Sequence, residues 1–330
     1  METETRKSEH IRICLEKDVE YTKSNGFECY EFEHNALPEL DFENIDTSME
    51  FLGKKLKVPI IIEAITGGSP EAEMINKNLA TAAQELGVAM GVGSQRAALE
   101  KPELAYTYEV RDVAPDIVLL GNIGGANLAE YRDRVKNAVD MIGADGLAVH
   151  LNAAQEMAQK EGERNFKNML ENIKSVTESG IPVVVKEVGC GITGHVAKKL
   201  ESAGVKAIDV SGSGGTSWIK VDYYRGRGEM KNFLEWGVPT AECLRQCMEQ
   251  GVKIPVIASG GIRNGLEAAK AIAMGASLVG LALPLLKPAT ESSDAVREKI
   301  QKIIDEFRTA MLLIGAGNIE ELRKAKLVRI

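Results

Sequence analysis

His150, Asn152, Gln155 and Glu156 fall together in the string HLNAAQE. In an extended strand His150 and Asn152 share the side opposite Leu151, and Gln155 and Glu156 follow within a short loop or one helical turn, so the four polar groups converge on one mouth. A lone carboxylate there is more often a helix-terminus charge than a ligand, but it also suits a hard cation, because Mg²⁺ takes one or two carboxylates and completes its shell with water and substrate phosphate. Glu156 is therefore the candidate metal anchor.

Lys186 and Glu187 are adjacent, and strand alternation lets only one of them face inward. An inward Lys186 either stabilises negative charge on a flat ligand or forms a structural ion pair with Glu63 or Asp209, which also sit in strand-like runs. Two glycine turns, in Ser259-Gly260-Gly261-Ile262-Arg263 and Gly280-Leu281-Ala282, let backbone N–H groups approach a phosphate. Arg6, Lys7 and His10 stand three to four residues apart and make a cationic helix face. No GxSxG, HExxH or Walker string supplies a nucleophile, zinc or nucleotide motif, and Gly212-Ser213-Gly214-Gly215 fails the dinucleotide spacing. His34 and His195 lack polar company and read as structural or surface residues.

The elements that must position these groups show as a rhythm. Eight short runs rich in Val and Ile, at 58–66, 88–93, 116–124, 146–152, 182–189, 207–212, 255–261 and 278–284, each lead into Gly, Ser, Thr or Asn. Helical periodicity fills the gaps, among them 71–86, 129–142, 166–179, 193–203 and 266–274. Near-continuous apolar strands repeated eight times favour a (βα)8 TIM barrel over a doubly wound sheet. Its site then lies where the strands end, at Ala64-Ile65-Thr66, Ser94-Gln95-Arg96, Asn122, His150, Lys186 and Ser211 to Thr216.

A helix over 291–313 places Val296, Ile300, Ile303, Ile304, Phe307, Met311 and Ile314 on one stripe and closes the outer ring. An N-terminal helix over 6–20 carries the cationic face, so residues 1–57 form an arm and lead-in packing on a 58–330 barrel, one domain overall. The connection over 211–239 is long for a βα loop and carries Trp218, Tyr223, Tyr224, Arg225, Arg227, Phe233 and Trp236, which suits a lid or an oligomer contact.

The 330 residues are 44% hydrophobic and 27% charged, enough apolar material for a large core and too much for disorder. A net charge of −8 with no basic stripe argues against nucleic-acid binding. Five scattered cysteines without a CxxC pair read as reduced thiols. With no signal core and no apolar run of membrane-spanning length, the expected location is the cytoplasm, away from membranes.

Taken in order, RKSEHI, EAITGG, GVGSQRAALE, GNIGGANL, HLNAAQE, KEVGCGI, DVSGSGGTSW, WGVPT, SGGIRNG and GLALPLL resemble the type II isopentenyl diphosphate isomerases, flavoenzymes on a (βα)8 barrel. The resemblance spans Arg6 to about Leu286. It implies FMN with its ring near Ala64, Ile65, Thr66, Ser94, Asn122, Lys186, Ser211 and Thr216, and its phosphate at Gly260, Gly261, Arg263, Leu281 and Ala282. It implies that Arg6, Lys7, His10, Ser94, Gln95, Arg96, Asn152 and Gln155 bind the substrate diphosphate or line its pocket, and that Glu156 binds Mg²⁺. Catalytic roles fall to His150, Gln155 and Lys186. Gln155 positions the substrate, an amide being neither acid nor base near neutral pH, with a proton relay as the alternative.

The implied reaction interconverts isopentenyl and dimethylallyl diphosphate without net redox change, on FMN reduced by NAD(P)H, in a homotetramer or homo-octamer. Trp218 walls the apolar tail or the cation-like intermediate, or simply packs. Ile65 replaces the family's usual Met. Gln159-Lys160-Glu161-Gly162-Glu163 replaces its QPEGD, and loss of the proline is expected to loosen the metal-side loop. Rival readings are an FMN-dependent 2-hydroxy acid oxidase or dehydrogenase, whose base is commonly a histidine after strand 6, absent here, and a non-catalytic phosphate-binding barrel.

Overall fold

Runs such as Ile60-Ile61-Ile62 and Val183-Val184-Val185 have no polar side, so they are stable only where both faces are covered. A computed structural model, which describes residues 2–226 and 228–330, places them so; Arg227 lies outside the described residues. The strands β1 (Ile60–Ile62), β2 (Ala89–Gly91), β3 (Leu119–Gly124), β4 (Gly146–Leu151), β5 (Val183–Glu187), β6 (Ala207–Asp209), β7 (Val256–Ser259) and β8 (Leu278–Leu281) pair in parallel. Chain order is kept around a closed TIM barrel. All eight predicted runs are present, trimmed at their ends.

Inside the barrel, Ile61, Ala89, Leu120, Ala148, Val184, Ala207, Ile257 and Leu278 form one apolar cluster, one residue from each strand. Phe51 and Leu56, from the hairpin of Met49–Phe51 with Lys54–Leu56, join this cluster. Two residues beyond each member of that layer stand Glu63, Gly91, Asn122, His150, Lys186, Asp209, Ser259 and Gly280. Because side chains alternate, the apolar layer dictates a polar one above it. A side chain at position 280 would not fit, since a Cβ there would lie 2.7 Å from Glu63 Oε1.

Outside, the predicted helices 71–86, 166–179, 193–203 and 266–274 are observed as Pro70–Leu86, Met169–Glu178, Gly194–Ser202 and Gly265–Ala273. The expected 129–142 helix is broken by a 3-10 turn, Arg132–Arg134, between Leu128–Tyr131 and Val135–Met141. The last long helix, Ser293–Ile314, buries Val296, Ile300, Ile303, Ile304, Phe307 and Met311, with Ile314 packed beside them. Between β8 and that helix lies a separate short one, Leu283–Glu291.

The arm helix runs over Glu2–Glu16 rather than 6–20. It stops early because the following residues join the loop after β6: Ser217 N donates to Val19 O and Tyr21 N to Gly215 O, both at 2.8 Å. That long loop contains its own helix, Trp218–Tyr224, which packs against the arm. His34 and His195 are exposed, the five cysteines are free, and no helix among the described residues is long and apolar enough to cross a membrane.

Candidate active site

The floor of the cavity at the C-terminal end of the barrel is the polar layer. Lys186 Nζ stands 3.4 Å from Glu63 Oε2 and 3.3 Å from Asp209 Oδ2, and donates to Glu187 O at 2.8 Å. Ser259 Oγ donates to Asp209 Oδ1 at 2.6 Å. Burial alone would lower the Lys186 pKa, but the two carboxylates hold it above its ordinary value. Burial and the neighbouring Asp209 push Glu63 up to about 7, against the pull of Lys186. Lys186 is thus ion-paired within the barrel and also lines the cavity. Glu187 points the other way, where its Oε2 accepts from the backbone N–H groups of Val188, Gly189 and Cys190 at 2.7, 2.8 and 2.5 Å and so shapes the next loop.

Asn122 decides what His150 can do. Its Nδ2 donates to Val92 O at 3.0 Å, which leaves Oδ1 to accept from His150 Nδ1 at 2.8 Å. His150 is thus protonated on Nδ1 and keeps a lone pair on Nε2. Burial, then Lys186 and Lys7, push its pKa down to about 3. Near neutral pH the ring is therefore neutral, lines the cavity, and has Nε2 as its accepting nitrogen. The Gln95 side chain, fully buried, donates to Ala138 O at 2.8 Å and accepts from Asn122 N at 2.9 Å, so it braces the barrel wall and does not line the cavity. Leu281 packs in the outer core, and the cavity wall at that turn is made by Gly280 and Ala282.

The remaining expected residues do share one cavity: Ala64, Ile65, Thr66, Ser94, Asn122, Ser211, Thr216, Gly260, Gly261, Arg263 and Ala282, together with Arg6, Lys7, His10, Arg96, Asn152, Gln155, Glu156 and Trp218. The arm helix supplies the cationic face over the mouth, with His10 edge-on to Trp218 at 5.2 Å. Arg96 is paired with Glu100 at 2.8 Å, so its charge is partly spent.

Sequence reasoning missed Asp222. This fully buried carboxylate accepts from His10 Nε2 at 3.3 Å and Arg225 Nη1 at 2.8 Å on one oxygen, and from Gln155 Nε2 at 3.3 Å and Gln159 Nε2 at 3.2 Å on the other. Burial would raise its pKa, but His10 and Arg225 hold it below the ordinary carboxylate range. Burial lowers the His10 pKa in spite of Asp222. Asn152 Nδ2 donates to Gln155 Oε1 at 3.3 Å, which fixes the other end of the Gln155 amide. The one sequence signal was the three-residue spacing of Asp222 and Arg225.

Glu156 accepts from Asn152 Nδ2 at 2.9 Å and from Glu163 N at 2.7 Å. The 159–163 loop is held by Arg164, which donates to Met157 O at 3.0 Å and Gln159 O at 2.8 Å. No cluster of three His, Cys, Asp or Glu exists among the described residues, so a cation held at Glu156 would draw further ligands from phosphate and water. For a flavin phosphate the fit is good. Gly260 and Gly261 have φ of 101° and 81°, and the helix Leu283–Glu291 starts beside them, the arrangement in which barrels hold phosphate. Thr66 Oγ1 is buried on the cavity wall without a hydrogen-bond partner among the described residues, as a group awaiting a polar ligand would be.

Residues 115–329 match the family model described as FMN-dependent dehydrogenase. Curated relatives named isopentenyl-diphosphate delta-isomerase include one from Nostoc sp., 46% identical over 98% of this chain and 95% of its own length. Another, from Methanothermobacter thermautotrophicus, is 49% identical over 98% of this chain and 92% of its own. Among solved structures, a lactate oxidase from Pediococcus acidilactici superposes with a TM-score of 0.68 at 18% identity, over 92% of this chain and 84% of that one. A mandelate oxidase variant with benzaldehyde gives 0.69 at 20%, over 98% and 94%. At such identities these two bear on the fold alone.

Proposed function

Because the chain belongs to the FMN-dependent dehydrogenase family and, within it, to the isopentenyl-diphosphate delta-isomerases, we propose that it interconverts isopentenyl and dimethylallyl diphosphate by a 1,3-proton shift with reduced FMN and Mg²⁺. The observation that carries this reading is one cavity with an ion-paired lysine in its floor and a cationic arm over its mouth. The reaction needs a proton delivered to one carbon and removed two carbons away. FMN, kept reduced by NAD(P)H, supplies the acid–base centre when bound.

The chain's own groups hold and orient. Lys186 stabilises negative charge on the ring, Thr66, Asn122, Ser211 and Thr216 offer it polar contacts, and Gly260, Gly261, Arg263 and Ala282 take its phosphate. Arg6, Lys7, His10, Arg96 and Asn152 face the substrate diphosphate, with Glu156 on the Mg²⁺ and Trp218 as an apolar wall. Gln155, held at both amide ends, positions the allylic part. The arm keeps water from the reacting carbons. The arm and lead-in (1–57) serve the barrel (58–330) as one domain, in a cytoplasmic homotetramer or homo-octamer; Trp236, 60% exposed, suits a subunit contact, and sedimentation checks the oligomer.

The visible spectrum of the purified protein tests the cofactor, and an anaerobic assay with reduced FMN, Mg²⁺ and isopentenyl diphosphate tests the reaction; absence of dimethylallyl product sinks the reading. Burial, then Arg6, lower the Lys7 pKa to about 8. Since kcat/KM reports the free enzyme, it should fall as pH rises through about 8 while Lys7 loses its charge. Lys7→Arg should remove that alkaline limb, and a limb that survives the substitution rules Lys7 out. Glu156→Gln should raise the Mg²⁺ concentration for half-maximal rate by about 10- to 100-fold, a typical loss for a perturbed metal site. Product formation titrated with Mg²⁺ measures it, and an unchanged midpoint removes Glu156 from the metal.

A further inference from the structure

The lead-in ahead of the barrel has no role in the chemistry above, yet it lies under the phosphate turn. After the ladder from Val19 and Tyr21 to the 215–217 loop, the chain buries Asn25, whose Nδ2 donates to Gly261 O at 2.8 Å. Its Oδ1 accepts from Phe27 N at 3.0 Å, and its own carbonyl accepts from Ala241 N at 2.9 Å. Contact is close enough that a Cβ added at Gly261 would meet Asn25 Cβ at 3.0 Å. Nearby, Glu20 Oε1 accepts from Arg263 Nε at 3.1 Å and also from its Nη2.

We propose that Asn25 is a positioning residue for the cofactor phosphate, through its hydrogen bond to the Gly261 carbonyl. The inference rests on the reading that the cavity holds FMN. Gly260 and Gly261 occupy backbone conformations that glycine enters and leaves freely, so the turn is costly to hold still. A trans peptide is planar, with its C=O and N–H pointing in opposite directions, so fixing the Gly261 carbonyl also fixes the N–H of Ile262. Successive N–H groups fixed in this way form an anion-binding concavity, and fixing them before the ligand arrives lowers the entropy lost on binding. The Glu20 carboxylate restrains the Arg263 guanidinium at the same edge.

The dissociation constants of FMN and riboflavin, measured by quenching of flavin fluorescence, separate this role from a structural one. Their ratio isolates the phosphate. In Asn25→Ser, the short hydroxyl can still accept from Phe27 N–H but cannot reach Gly261. The ratio of riboflavin to FMN dissociation constants should fall about tenfold, ~1.4 kcal/mol, while riboflavin affinity stays within twofold. Asn25→Ala should show the same loss and stands in if the serine variant does not fold. An unchanged ratio overturns the proposal, as does an equal loss for both flavins. A wild-type protein that binds neither flavin instead overturns the cofactor reading beneath it.

Discussion

Lys186→Met is expected to lower kcat about 100- to 1000-fold with little change in KM, the scale seen when one preorganised charge-stabilising group is removed. The substitution keeps the length and apolar stem of the side chain and deletes its charge. It also leaves Glu63 and Asp209 facing each other in a buried floor, where breaking an ion pair costs about 3–5 kcal/mol unless a proton is taken up. Glu63, already pushed to about 7, is the group that takes it. The sign follows from a folded-state pKa raised above the unfolded one. The protonated form stabilises the fold at low pH, and that stability is lost as pH rises through the folded value. Thermal stability of Lys186→Met should therefore fall more steeply with rising pH than that of the wild type. Adding Glu63→Gln should restore stability and not turnover, which separates chemistry from folding. Turnover within tenfold of wild type for the single variant would exclude Lys186 from the reaction.

The barrel was legible because its signal is local. Each strand is an apolar run, and counting two residues on from the inward apolar layer locates Glu63, Asn122, His150, Lys186, Asp209 and Ser259. The same count turns Leu281 outward, because it follows the inward Gly280 directly. Gln95 was harder: β2 ends at Gly91, so alternation no longer governs where a residue four positions later points. The arm helix was overestimated at its C-terminal end because Val19 and Tyr21 bond a loop some 200 residues away, and helix propensity carries no trace of that partner. Asp222 shows the limit most clearly. Its partners lie at positions 10, 155 and 159, and only the fold brings them together.

Asp222→Asn should lower kcat/KM for the diphosphate substrate about 100-fold, the cost of a misplacement of roughly 1 Å in a positioned group. The carboxylate presents two accepting oxygens, one to His10 and Arg225 and one to Gln155 and Gln159. An amide of the same shape has one accepting end and one donating end, so whichever way it turns, two donors meet an NH2 group. If the NH2 faces the glutamines, Gln155 has to rotate and give up its bond from Asn152. If it faces the arm, His10 and Arg225 are left without their shared acceptor, although Arg225 keeps Glu9 at 3.1 Å and Glu161 at 3.2 Å. The first outcome falls on kcat through Gln155, and the second on KM through the arm. Since His10 also loses the carboxylate that opposes its burial, its pKa should drop further, which NMR titration of the ring can follow. The stability cost should remain about 1–3 kcal/mol, that of an unsatisfied buried polar group. Steady-state kinetics within threefold of wild type would mean that the network anchors the loop without orienting the substrate-facing groups.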